Sequence, residues 1–84
     1  MSVEARRALR SREILNATRA LFESRGVREA QIDDIANSVG INRAIIYRHF
    51  STKEELFAMT LVDYLTEIEA LFAEVRNDEV SAID

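Results

Sequence analysis

The stretch IANSVGINRAIIYRHFSTKEELF, residues 35–57, constrains this chain more than any other part of it. Apolar residues at helical spacing lead to Gly40, the pattern restarts behind Asn42, and Ser51-Thr52-Lys53-Glu54 has the form of a helix-capping box. The end of one short helix, a tight turn, a second short helix and the start of a third make a helix-turn-helix layout. The chain has no proline, and its only glycines are Gly26 and Gly40, so few other positions invite a break. The expected fold is therefore all-α: a three-helix helix-turn-helix head followed by a long fourth helix.

Other classes fall away on composition. With 84 residues, 48% hydrophobic and 31% charged, the chain reads as one small globular unit. It has no cysteine, so disulfides and thiolate metal sites are excluded. No apolar run approaches the ~20 residues of a membrane span, and MSVEARRALRSR lacks the apolar region of a signal peptide. A cytoplasmic protein with no membrane partner is expected.

The formal charge of −4 argues against nucleic acid until it is divided. Residues 1–53 carry ten Lys or Arg and six acids, a net of +4, whereas residues 54–84 carry one Arg and nine acids, a net of −8. Phosphate responds to the local field. The expected organisation is a DNA-binding head with a basic N-terminal arm over residues 1–53, then an acidic linker helix over residues 54–84.

The arm, with Arg6, Arg7, Arg10 and Arg12, runs into a helix ending near Arg25, with Ile14, Ala17, Leu21 and Phe22 as its apolar stripe. Gly26 is its expected left-handed stop, and Val27 is expected to turn back to the core. The second helix spans about 32–39, buries Ile35, Ala36 and Val39, and has Asp33 and Asp34 in its first turn, where negative charge suits the helix dipole. Ala30 and Gln31 make a poor N-cap for it. Asn42 is a plausible cap for the third helix, residues 43–49, which turns Ile46 and Phe50 inward and Arg43, Ala44, Tyr47 and Arg48 outward. The fourth helix starts at Ser51 as N-cap, with Glu54 returning the bond. It carries Phe57, Leu61, Leu65, Ile68, Leu71, Phe72 and Val75 as a stripe to about Val75, and residues 77–84 are expected to fray.

Ile14-Leu15-x-Ala17 with Ala20-Leu21-Phe22 and Gly26, then Ile35-Ala36, Val39-Gly40-Ile41, Ile46-Tyr47-x-His49-Phe50 and Lys53-Glu54-Glu55-Leu56 together resemble the N-terminal DNA-binding domain of TetR-type bacterial transcriptional regulators. The resemblance covers about residues 10–60, with spacing and residue type agreeing across four elements. It implies a homodimer on a pseudo-palindromic operator, with the third helix in the major groove. It also implies a C-terminal domain that binds a small-molecule effector, forms the dimer, and moves helix 4 so that the two heads leave register. That domain is absent from these residues, so the chain is expected to be a fragment of a longer regulator, the other reading being a short stand-alone relative. The start of helix 2 departs from the pattern: Gln31 and Asp33 stand where many relatives have Thr and a basic residue.

Base reading falls to the N-terminal end of the recognition helix. Arg43 matches guanine O6 and N7, or else serves as a phosphate clamp or a solvated arginine. Asn42 either reads adenine or only caps the helix. Ala44 and Ile45 can touch a thymine methyl, with Ile45 equally readable as core. Tyr47 resembles the family's phosphate-binding tyrosine; a packing role can coexist with that. Lys53 joins its ammonium to the open N–H groups at the start of helix 4, a natural phosphate site, and Thr52 can donate beside it. His49 reads as a phosphate contact or a packing residue, since no second ligand or nucleophile accompanies it. Arg48 faces backbone or solvent, Gln31 donates to a phosphate or is simply exposed, and the arm arginines reach the flanking DNA or stay solvated.

The expected function is sequence-specific double-stranded DNA binding for transcriptional regulation, as a repressor. The alternative is a helix-pairing interaction module in which the helix-turn-helix is only scaffold. No cofactor and no metal are expected, and an enzyme has little support: one histidine, no cysteine and no glycine-rich phosphate loop.

Overall fold

The computed structural model describes residues 2–83, with side chains described for residues 2–77. Among these there are four helices and no strand: α1 (Val3–Arg25), α2 (Ile32–Val39), α3 (Arg43–His49) and α4 (Lys53–Ile83). The all-α head with a long fourth helix is the observed architecture.

The stretch read as a basic arm is itself helix. Ser2 caps α1, its hydroxyl accepting from the Ala5 N–H at 3.0 Å, so Arg6, Arg7, Arg10 and Arg12 all lie on α1. An N-cap one residue from the chain start needs no apolar signal, which is why periodicity did not reveal it. At the other end α4 continues to Ile83, past the expected fraying point at residue 77; Asp84 lies outside the described residues.

The two glycines break the chain in different ways. Gly40 adopts φ 85°, ψ 31°, the left-handed conformation that closes a helix, and its N–H reaches the Ala36 carbonyl. Gly26 ends α1 at φ 83°, ψ 159°, an extended positive-φ state rather than the expected left-handed one. A side chain disfavours both states, so glycine is required at each. Because Gly26 leads out extended, Val27 stays 44% exposed instead of turning inward. Ala30 and Ile32, farther along, are buried.

The core draws on every helix. Ile14 and Leu15 of α1, Ile32, Ile35 and Ala36 of α2, Ile46 of α3, Phe50 and Leu56 form one buried cluster, with Ala17, Leu21, Ile41 and Phe57 packed against it. Phe22 meets Phe57 edge-on at 5.0 Å between centroids, an arrangement worth about 0.5–1.5 kcal/mol beyond burial. Val39 is only half-buried. Thr18 and Thr60 are buried, and each satisfies its hydroxyl on the carbonyl four residues back, Ile14 and Leu56, at 2.8 Å. The first turns of α4 thus belong to the head, and the packing runs across the expected division at residues 53 and 54.

Beyond that core α1 and α4 are joined by charge. Arg12 reaches Asp63 at 2.8 Å, and Arg19 pairs with Glu67 and lies 4.6 Å from the centre of the Tyr64 ring. Farther along α4 the apolar stripe is uncovered: Leu65, Leu71, Phe72 and Val75 are all exposed.

Candidate nucleic-acid interface

α3 is placed by two anchors four residues apart on its inner side. Ile46 is fully buried, and the following Phe50 is buried as well. With those inward, helical spacing leaves Arg43, Ala44, Tyr47 and Arg48 exposed, as the sequence pattern anticipates. Asn42 caps the helix, its side-chain oxygen accepting from the Ile45 N–H at 3.1 Å. That bond holds the Asn42 oxygen at the helix start, so the cap role is occupied and the base-reading role competes with it.

Arg43 projects from the first turn and lies 3.6 Å, Nε to Oδ1, from Asp33 on α2. The two residues line a shallow depression between α2 and the start of α3, shared with Asn37 and Asn42. Asp33 and Asp34 do more than suit the dipole of α2. Each also holds an arginine of a neighbouring helix, Asp34 reaching Arg25 at 3.0 Å. Acids in a helix first turn and arginines elsewhere give no local cue to such pairing; only the fold brings them together.

Ile45 is half-buried and stands between α3 and α1. With Val3, Arg6, Arg7, Arg10, Arg48 and His49 it lines a second shallow groove. Since α1 is helical there, Arg6, Arg7 and Arg10 recur at spacings of three and four and present one face. Three arginines of α1 and one of α3 therefore converge beside the exposed side of α3. The sequence listed these arginines without a face to share.

His49 sits in this groove. Its Nδ1 lies 3.0 Å from the Ser11 hydroxyl of α1. When that hydroxyl donates to a neutral ring, Nε2–H remains as a donor. Burial holds the imidazole below its usual value, and the nearby positive charges of Arg7, Arg10 and Arg48 act in the same direction. Ser11 was not anticipated as a partner, because 38 residues separate the two.

The start of α4 closes the surface. The cap is displaced by one residue from the expected box: the Thr52 hydroxyl accepts from the Glu55 N–H at 3.0 Å, and the Glu55 carboxylate accepts from the Ser51 N–H at 2.6 Å. Ser-Thr-Lys-Glu-Glu offers two overlapping registers, and helix geometry selected the second. Thr52, as cap, keeps its O–H available to donate. Lys53 becomes the first helical residue, its ammonium 5.4 Å from the Phe57 ring centre. Gln31 precedes α2 at the N-cap position, exposed and without a side-chain cap bond. Tyr47 is 39% exposed.

Among the described residues no group of three His, Asp or Glu side chains is arranged to hold a metal ion, and no helix is long and apolar enough to cross a membrane.

A family model described as bacterial regulatory proteins, tetR family, matches residues 14–59. The chain is similar to the HTH-type transcriptional repressor KstR2 of Mycolicibacterium smegmatis, 29% identical over 77 residues, which is 92% of this chain and 38% of that protein. It is 33% identical over 75 residues to KstR2 of Rhodococcus jostii, covering 89% of this chain and 35% of that one. The HTH-type transcriptional activator FasR of Mycolicibacterium smegmatis is 37% identical over 49 residues, 58% of this chain and 22% of its own length. The chain thus spans well under half the length of these curated relatives. No solved structure matches the chain significantly.

Proposed function

The chain belongs to the tetR family of bacterial regulatory proteins and is a DNA-binding domain of that family, and from that premise we propose that it reads a pseudo-palindromic operator with α3 in the major groove and acts as a repressor in the cytoplasm. The observation that carries the reading is the outward face of α3. Arg43, Ala44, Tyr47 and Arg48 are exposed together while Ile46 holds the helix to the core. Arg43, with Ala44 and Asn42 beside it, meets base edges; Ile45, half-buried against α1, has the lesser share.

Around that face we assign phosphate contacts to Tyr47, Arg48 and His49 on α3, to Lys53 and Thr52 at the start of α4, and to Gln31 before α2. Lys53 and Thr52 sit at a helix N-terminus, where backbone N–H groups and the dipole favour an anion. The arginine face of α1 adds cations on the other flank of α3. Such contacts fix register, and bases then supply discrimination. KstR2 is named as a repressor in both organisms, which favours repression over activation.

A single head binds weakly, because most of its affinity is electrostatic. Two heads about one helical turn apart supply affinity and specificity together. We assign dimerisation and effector binding to sequence of the kind the longer relatives possess, reached through α4, whose exposed stripe is suited to packing. The competing reading, helix pairing with the head as scaffold, has no support from the family match, which falls on residues 14–59 and leaves most of α4 outside.

The test is duplex binding by the 84-residue chain across a salt titration. Affinity is expected to fall linearly in a log–log plot, with a slope set by the number of phosphates neutralised. A chain that binds no duplex at low salt sinks the proposal.

A further inference from the structure

We propose that Asp33 is a specificity-determining residue that positions Arg43 for guanine and keeps it off the phosphates. The proposal rests on the reading that α3 enters the major groove.

Among the described residues, Arg43 is the one member of α3 in an ion pair; every other pair lies within α1 or joins α1 to α2 or α4. The pair lies on the face assigned to DNA, and its side chains are 63% and 71% exposed. Salt bridges so open contribute little to folding stability. A pair with little structural value, set at the first turn of the recognition helix, invites a functional reading.

The geometry gives it one. Asp33 approaches Arg43 through Nε, so the two terminal nitrogens stay available. Those terminal N–H groups form a fork that suits the O6 and N7 acceptors of guanine. Asp33 stands on a rigid base, since its neighbours Ile32, Ile35 and Ala36 are all buried. An arginine held in advance loses less freedom on binding than one recruited from solution.

Charge adds a second effect. A carboxylate facing DNA repels phosphate, so Asp33 lowers affinity for every duplex alike. It also competes with phosphate for Arg43. Without Asp33 the guanidinium is free to swing to the backbone and bind any sequence. With it, Nε stays on the carboxylate and the terminal fork is held where a guanine edge supplies two acceptors. The pair therefore exchanges general affinity for discrimination.

The experiment selects binding sites from a random duplex library with the 84-residue chain and with Asp33→Ala, Arg43→Ala and the double variant. Each selected site and a scrambled duplex are then titrated, and circular dichroism melting verifies that each variant is folded. The parent is expected to prefer G·C at one position by roughly 10-fold or more. Asp33→Ala and Arg43→Ala are each expected to cut that preference below about 3-fold at the same position. The double variant should be no less selective there than Arg43→Ala alone, and Asp33→Ala should bind the scrambled duplex more tightly than the parent. If Asp33→Ala keeps the preference that Arg43→Ala loses, α3 still reads DNA and the role given to Asp33 is wrong. If the parent itself selects no sequence, the major-groove reading fails and takes this proposal with it.

Discussion

Arg43 and Lys53 carry the same charge, yet their loss should be felt differently. Arg43 is exposed at the start of α3, where the proposed function puts base edges, so Arg43→Ala is expected to relax preference at one position by about 1–3 kcal/mol. Lys53 opens α4 beside the Phe57 ring. Its partner is taken to be phosphate, which is the same in every sequence. Lys53→Ala should weaken selected and scrambled duplexes by one common factor and reduce the salt slope by about one unit, as read by fluorescence anisotropy at several salt concentrations. A sequence-dependent loss would instead place Lys53 on a base. His49 makes a prediction in pH. Its folded-state value is lowered, chiefly by burial. Between the folded and unfolded values the unfolded chain binds more protons, so stability rises with pH there. The contribution is fully present above the ordinary imidazole value of about 6.5 and is lost as pH falls through the lower, folded value. Urea midpoints should drop from pH 7 to pH 5.5, and His49→Gln should flatten part of that drop. DNA reverses the sign: a phosphate beside the ring favours imidazolium, so duplex affinity should rise over the same interval. If His49→Gln leaves that rise intact, His49 does not touch the backbone.

Among the elements α4 has two separate tasks along its length. Leu56, Phe57 and Thr60 complete the head, while Asp63, Tyr64 and Glu67 tie the helix to Arg12 and Arg19 of α1. Cutting the chain after Leu61 spares the first group and removes the second. Exposed ion pairs contribute about 0.2–1 kcal/mol each, and an exposed cation–π contact about 0.5–1 kcal/mol. The shortened chain should therefore fold with a stability lower by roughly 1–3 kcal/mol. A thermal melt no earlier than the parent's would mean that the contacts from Asp63 to Glu67 add nothing. α1 has a comparable division. Ile14, Leu15 and Thr18 are core, and the turns before them carry the arginine face beside α3.

At the scale of the whole molecule, charge is arranged along the chain. Residues 1–67 hold ten bases and ten acids, so the net charge of −4 resides wholly in residues 68–84. That acidic end extends from a head whose proposed DNA face gathers Arg6, Arg7, Arg10 and Arg48. Removing residues 68–84 is expected to raise affinity for any duplex at low salt and to leave it nearly unchanged once the screening length falls to a few ångströms, near 1 M salt. Equal affinities for the two chains at low salt would show that the acidic end is too far from the bound duplex to matter.

The sequence by itself determined the helices and the outward side of α3. Those follow from local causes: apolar residues recurring at helical spacing, two glycines in positive-φ states, and Asn42 at a cap. The extra helical turns at the start of α1 and the shifted cap of α4 were less legible, because a serine one residue from the terminus and two overlapping capping registers are weak local signals. Only the tertiary structure decided the pairings Asp33–Arg43, Ser11–His49, Arg12–Asp63 and Arg19–Glu67, and the gathering of Arg6, Arg7, Arg10 and Arg48 on one groove. A salt bridge or a shared face depends on where packing sets two helices, and surface charges carry no periodicity that fixes their partners across a turn.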